Sequence, residues 1–224
     1  YDLVVSDNAN TYNWYPSVTG LIGGGHVVTW ETETSSGRQI LAQLFAADGT
    51  KSGSEFQVNT SNSAVSPRVA ALTGGGFAVA WQGRGSVQYD IEAQIFSADG
   101  SKVGSEITVN THLTGDQYSP SITGTQDGGF MVAWGGTSGS SGAGTGTDPI
   151  RAQKFDASGG KVGSELNVSG NPVSSYNRYQ ELVELSSGKV VVSWRDDPSG
   201  GNKMAILNSD GTAATSVITI VSGS

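Results

Sequence analysis

The segment Gly-Gly-(His/Phe)-x-Val-x-Trp occurs three times in this chain and is followed by a worn fourth copy, and nothing else in the sequence restricts the fold so tightly. The copies are Gly24-Gly25-His26-Val27-Val28-Thr29-Trp30, Gly75-Gly76-Phe77-Ala78-Val79-Ala80-Trp81 and Gly128-Gly129-Phe130-Met131-Val132-Ala133-Trp134, then Gly188-Lys189-Val190-Val191-Val192-Ser193-Trp194. The tryptophans are separated by 51, 53 and 60 residues. A period of this size means a propeller, a solenoid or an array, so the shared residues are expected to build scaffold. Function is expected where the copies differ.

Each copy divides into four short strands, A to D. Strand A follows a proline in three copies (Pro16, Pro67, Pro120) and is replaced by Gln180-Glu181-Leu182-Val183 in the fourth. Pro at the first residue of a strand removes no ladder donor. Strand B is the Trp-ending segment, whose alternation puts Phe77, Val79 and Trp81 on one face and Ala78 and Ala80 on the other. Such large and small faces suit stacked sheets. Strand C reads Ile40 to Phe45, Ile91 to Phe96, Ile150 to Phe155, and Met204 to Leu207. Turns containing Asp48-Gly49, Asp99-Gly100, Ser158-Gly159 and Asp210-Gly211 follow, with Gly able to supply positive φ. Strand D spans Glu55 to Asn59, Glu106 to Asn110, Glu165 to Ser169 and Val217 to Val221. Four antiparallel strands per unit predict an all-β fold, a β-propeller of four blades in one domain. The copies span approximately 7–59, 60–110, 111–169 and 170–222.

These units resemble the tandem repeats of large secreted bacterial surface proteins and repeats-in-toxin-type calcium-binding proteins. The resemblance rests on Gly-Gly-Phe-x-Val-x-Trp, Ile-x-Ala-Gln-x-Phe, Asp-Gly and Gly-Ser-Glu-x-x-Val-Asn, the last as Gly104 to Asn110. It covers nearly the whole chain and implies a repeat type rather than an activity. The Gly- and Asp-rich nonapeptides that bind calcium in the toxin family are not present. Four copies also give a length similar to hemopexin-like propellers, without their cysteine closure.

One count does not balance. Asp2-Leu3-Val4-Val5-Ser6 aligns with strand D, because Ser6 lies as far before Pro16 as Asn110 lies before Pro120. The chain then has four A, B and C strands and five of type D. One terminal strand completes the last blade and the other is surplus: it packs as an extra edge strand, continues into further repeats, or pairs with a neighbouring molecule, the last giving self-association through an unpaired edge.

Composition narrows the function classes. A net charge of −8 argues against a nucleic-acid backbone as partner. The absence of cysteine excludes disulfide, thiolate and Cys-zinc chemistry. No apolar run approaches the roughly 20 residues of a membrane helix, so no membrane insertion is expected. The chain begins at Tyr1 rather than Met, which predicts a processed product or a fragment and fits a secreted or cell-surface protein.

In a propeller the D-to-A and B-to-C connections share one face, and here they are the variable ones. They carry Tyr12, Asn13, Trp14, Tyr15, Asp116, Tyr118, Tyr176, Arg178 and Tyr179. Aromatic faces beside Asn, Asp and Arg suit a sugar, whose C–H face stacks while its hydroxyls find polar partners. The bland alternative is that the rings plug blade junctions. The insertion Gly135 to Asp148 reads as a flexible loop. Asp196 and Asp197 with Glu31 and Glu33 are a candidate Ca²⁺ set, although acidic loops without metal are commoner. His26 falls in the slot of Phe77 and Phe130 and is expected to pack, and His112 has no second ligand near it. Glu55, Glu106 and Glu165 are expected to protect strand edges. Asp116 and Asp196 can be imagined as glycosidase carboxylates, but no spacing selects them. The expectation is therefore a non-enzymatic module binding a glycan without a cofactor. The alternative is a structural repeat of an adhesin, surface layer or filament, and a polysaccharide-acting enzyme stands third.

Overall fold

The computed structural model describes residues 5–7, 12–61, 63–85, 88–137, 149–170, 179–196 and 201–221. It is all-β, with four separate four-stranded antiparallel sheets, each formed from consecutive strands. The first blade holds β1 (Asn13–Gly20), β2 (His26–Thr34), β3 (Gly37–Phe45) and β4 (Lys51–Gln57). The second holds β5 (Ala64–Ala71), β6 (Phe77–Arg84), β7 (Tyr89–Phe96) and β8 (Lys102–Thr108). The third holds β9 (Gln117–Gly124), β10 (Phe130–Gly136), β11 (Arg151–Phe155) and β12 (Lys161–Asn167). The fourth holds β13 (Glu181–Glu184), β14 (Val190–Asp196), β15 (Gly201–Leu207) and β16 (Ile218–Val221).

The Gly-Gly motif has two separate causes. The first glycine adopts positive φ, 95° at Gly75 and 92° at Gly128, which side-chain-bearing residues avoid. The second lies against the carbonyl of the phenylalanine that ends strand C. A Cβ on Gly76 would sit 2.2 Å from the Phe96 oxygen, and one on Gly129 2.1 Å from that of Phe155. This close approach puts the first residue of strand B opposite the last of strand C. Phe77 stacks on Phe96 at 5.0 Å, Phe130 on Phe155 at 4.8 Å, and His26 on Phe45 at 4.8 Å. His26 is thus the packed residue its alignment predicts.

Between blades, a large face meets a small one. Phe130, Val132 and Trp134 of the third blade pack on Ala78, Ala80 and Ala93 of the second. Phe77, Val79 and Trp81 pack in the same way on Val27, Ala42 and Val58 of the first. Val190, Val192 and Trp194 pack on Met131, Ala133 and Ala152 of the third. We call the large side of each blade its rear face and the small side its forward face. Full burial of a Phe or Val side chain is worth about 1.5–3 kcal/mol, so these three interfaces are the core of the molecule.

Three repeated polar side chains complete the frame. In the first three blades the strand C–strand D pair carries a bulge after the alanine of Ile-x-Ala-Gln. The glutamine latches it: Gln94 Nε2 donates to Ile95 O and Val103 O, both at 3.0 Å, and Gln43 and Gln153 do the same. Asn59 and Asn110 then hook back on the start of strand C, accepting the Ile40 and Ile91 N–H groups at 2.7 and 2.8 Å. The glutamates of Gly-Ser-Glu cross between blades. Glu106 accepts Thr60 N–H at 2.5 Å and Glu165 accepts Thr111 N–H at 2.6 Å, in each case from the end of the preceding blade's strand D. They are inter-blade clasps, which corrects the expectation of edge protection. They also sit mid-strand, because strand D starts four residues earlier than the sequence predicts.

β16 completes the fourth sheet, so the surplus strand is the N-terminal one. Most of it, residues 1–4, lies outside the described residues, and Val5 and Ser6 are not in a strand. Asp7 nevertheless occupies the clasp position: its N–H donates to Glu55 at 3.1 Å, as Thr60 and Thr111 do to Glu106 and Glu165. Each blade packs on the next. Among the described strands, none of the first blade packs comparably against the fourth.

Candidate functional site

Strand A enters each blade through a strained residue. Tyr15, Ser66 and Ser119 have φ of 51°, 56° and 53°, and each precedes a proline. Tyr179, at the equivalent place in the fourth copy, has φ of 112°. A residue before proline favours extended backbone, and positive φ without glycine costs about 1–3 kcal/mol. In the first three blades this residue lies at a register shift between strands A and B. The proline therefore sits at a bulge inside the strand rather than at its first residue. Sequence reasoning missed Ser66 and Ser119; the recurring residue-Pro pair was the available signal.

Around Tyr15 the loop face is built by a ladder of contacts. Glu31, on β2, has a fully buried side chain. Its Oε2 accepts the N–H of Ser66 at 3.1 Å, and its Oε1 accepts Arg38 Nη1 at 3.0 Å. Burial raises its pKa, against the lowering effect of these two donors. Arg38 in turn places its guanidinium 5.4 Å from the centre of the Trp14 ring. Tyr12 stacks on Trp14 at 5.7 Å and 11°. Trp14 is thus held from within the chain, while Tyr12 is 74% exposed, Tyr15 55% and Tyr179 74%. The exposed rings are the tyrosines, and of these Tyr12 is the one that Trp14 supports. Asn13 pairs with Thr32 at the start of β1.

Asp116 and Tyr118 are engaged inside the scaffold. The Asp116 carboxylate accepts Tyr89 N–H at 3.0 Å and its carbonyl accepts Thr137 N–H at 2.8 Å, tying two loops together. The Tyr118 hydroxyl donates to Gly136 O at 3.1 Å. Tyr176 and Arg178 lie outside the described residues, as do Asp197 and most of the Gly/Ser/Thr-rich insertion. Of the candidate calcium ligands, Glu31 is engaged by Arg38, Asp196 pairs with Lys203, and Glu33 is exposed. Among the described residues no cluster of three metal-ligating side chains occurs.

A second acid with a raised pKa, Glu92 on β7, was not picked out by the sequence pattern. Burial and then the charge of Glu106 raise it, while the indole N–H of Trp81 at 3.1 Å acts against them. Its signal was an acid in the strand C slot held by Leu41, Arg151 and Lys203 in the other copies. A cavity of about 490 Å³ lies elsewhere, lined by Thr111, His112, Arg151, Gln153, Lys161 and Glu165 among others. Its lining holds no Phe, Tyr or Trp and does not coincide with the tyrosines.

No protein-family model matches the sequence and no curated protein matches it. Solved structures do share the fold. An α-L-arabinanase from Penicillium chrysogenum, solved with arabinobiose, is 12% identical over 93% of this chain and 67% of its own, with a TM-score of 0.63. An endo-arabinase from Bacteroides thetaiotaomicron is 12% identical over 93% and 81%, with a TM-score of 0.56. A third, from a study of the GH130 family of mannoside phosphorylases and glycoside hydrolases targeting β-1,2 mannosidic linkages in Candida mannan, is 12% identical over 93% and 70%, also at 0.56. At this identity the likeness establishes the fold, a propeller of repeated four-stranded sheets. The toxin-type repeat motifs find no counterpart in these comparisons. The expectation of a non-enzymatic module is corrected by them: the three structures named are an arabinanase, an endo-arabinase and a protein from the GH130 family study of glycoside hydrolases.

Proposed function

We propose that this protein takes a polysaccharide chain against the loop face that carries Tyr12, Tyr15 and Tyr179, and acts on it there. The observation that carries the reading is that exposed tyrosines stand on the variable face, two of them at strained entries to strand A. Strain held by a rigid scaffold is characteristic of ligand clamps and active sites. The occurrence of the fold in enzymes acting on arabinan and mannan supports it. Tyrosine suits sugar recognition, because its ring stacks on a C–H face and its hydroxyl bonds at the edge. Glu31 is a positioning residue, fixing Arg38 and through it Trp14 and Tyr12. In this reading the protein works outside the cell or at its surface and needs no cofactor for recognition, so chelation leaves binding unchanged.

The test is a glycan array combined with reducing-end release from arabinan and β-1,2-mannan. Binding to at least one polysaccharide is expected, weakened about fivefold by Tyr12→Ala and again by Tyr179→Ala, since each ring is worth on the order of 1 kcal/mol. No binding and no released product on any glycan would sink the reading. A structural role in an adhesin, surface layer or filament has a different observation in its favour, the apolar outer faces of the two end blades.

A further inference from the structure

The cavity of about 490 Å³ beside the third blade has a charge arrangement that the matching positions of the first two blades lack. Strand D opens with a lysine in three blades, and the register makes them equivalent: Lys51 pairs with Phe45, Lys102 with Phe96 and Lys161 with Phe155. Lys51 has a carboxylate partner in Asp7, and Lys102 has one in Glu106 at 4.0 Å. Lys161 has no such ion pair among the described residues; its ammonium donates to Thr111 Oγ1 at 3.2 Å and to Asn110 O at 3.5 Å, both uncharged. The cause is Arg151, which stands in the strand C slot that Leu41 and Glu92 fill and takes the Glu165 carboxylate through Nη1 at 2.8 Å. The Thr111 and His112 N–H groups use the rest of that carboxylate. Arg151 Nη2 has no partner among the described residues and is not sealed from solvent, unlike Nε. Both cations converge on Thr111, Lys161 directly and Arg151 through Glu165. Two cations against one engaged carboxylate leave a single uncompensated positive charge in the cavity wall, in a chain whose net charge is −8. Burial holds the Lys161 ammonium below the ordinary lysine pKa, with the charge of Glu165 acting the other way.

We propose that this cavity is a subsite for a uronic acid residue, whose carboxylate is taken by Lys161 and Arg151. One uncompensated charge selects a monoanion. The volume lies in the range of small-molecule sites, about 300–1,000 Å³, so a bare ion would leave most of it to water. The rest of the wall is polar: Thr111 and Ser164 carry exposed hydroxyls, His112 an imidazole, and Gln153 an amide, with no Phe, Tyr or Trp to stack on. Such a wall holds a hydroxylated ligand by hydrogen bonds, not by ring stacking, which sets this subsite apart from the tyrosine face. The choice of a sugar acid rests on the carbohydrate reading proposed above; the choice of a monoanion does not.

The test is a ligand-observed NMR titration of the whole chain at constant ionic strength. The probes are D-galacturonate and D-glucuronate, their neutral counterparts D-galactose and D-glucose, and sulfate as a bare oxyanion. At least one uronate should bind, and its neutral counterpart should bind at least about tenfold more weakly, because a charge-assisted hydrogen bond is lost. Lys161→Met should weaken the uronate about tenfold or more, while Lys51→Met, at the same slot of the first blade, should leave it unchanged. Both lysines lie at the surface edge of their sheets, and an unchanged circular dichroism spectrum verifies that each variant folds. Any of five results would overturn the proposal: neither uronate binds; the neutral sugar binds as tightly; sulfate binds as tightly as the uronate; Lys161→Met binds like the native chain; or Lys51→Met loses as much as Lys161→Met. A neutral polysaccharide whose binding is weakened by Tyr12→Ala would leave the tyrosine face standing even if this subsite fails.

Discussion

Replacing the clasp glutamates one at a time should give three graded losses of stability from one motif. The Glu165 side chain is only 8% exposed and accepts Thr111 N–H at 2.6 Å, His112 N–H at 3.2 Å and Arg151 Nη1 at 2.8 Å. A hydrogen bond to a charged group contributes about 1.5–3 kcal/mol, and a buried donor left alone costs about 1–3. The exposed Thr111 amide recovers water when the carboxylate is removed, but Arg151 does so only in part. The net expectation for Glu165→Ala is a loss of about 3 kcal/mol. Glu106, 20% exposed, accepts the Thr60 N–H and hydroxyl and lies 4.0 Å from Lys102 Nζ, a partly exposed pair that adds little, so Glu106→Ala should cost about 2 kcal/mol. Glu55 holds the exposed Asp7 N–H, and Glu55→Ala should cost less than about 1 kcal/mol. Urea unfolding followed by tryptophan fluorescence measures all three, as shifts in midpoint at constant slope. Losses that are equal, or largest at Glu55, would show that these contacts do not hold the blades together. So would a Glu165→Ala variant as stable as the native chain.

Three further outcomes follow from the same geometry. Gly76→Ala should lose about 2–4 kcal/mol in a urea titration, because its Cβ meets the Phe96 carbonyl and strands B and C must part. Lys154→Ile should leave stability unchanged or raise it: Leu44, Ile95 and Ile206 fill the same slot elsewhere, the buried ammonium is removed, and Asp127, 56% exposed, keeps its water. Glu92→Gln should raise the melting temperature near neutral pH and not below about pH 4. Burial holds the native Glu92 pKa above the ordinary 4.5, so its native-state advantage is complete below that value and is lost as pH rises through the raised one. An unchanged melting temperature at both pH values would show that Glu92 carries no such penalty.

The strands were legible because a single period runs through the chain and because the alternation Phe-Ala-Val-Ala-Trp assigns two faces without reference to anything outside the strand. The partners of the repeated polar residues were not legible. Glu106 bonds 46 residues back and Glu165 bonds 54 residues back, across a blade boundary, and no local spacing marks such a contact. Gln94 differs: its latch lies within one blade, yet the strand C–strand D bulge it serves has no sequence mark beyond Gly104. The loop face was half legible. Tyr12, Tyr15 and Tyr179 are exposed where the loops predicted them, while Tyr118 and Asp116 use their polar atoms internally. The strain at Tyr15, Ser66 and Ser119 went unseen because a proline after a loop reads first as the beginning of a strand.

Whether a glycan is taken at the tyrosine face can be read through Trp14. Trp30, Trp81, Trp134 and Trp194 are buried between strands, and Trp14 alone among the tryptophans is partly open to solvent. Collisional quenching by acrylamide should therefore report chiefly on Trp14, and on the Tyr12 ring stacked against it. A polysaccharide fragment bound at this face should reduce the quenchable fluorescence, and Trp14→Phe should abolish that response. A glycan that binds the protein while leaving Trp14 as open to acrylamide as before would place recognition elsewhere and rule out the tyrosine face as its site.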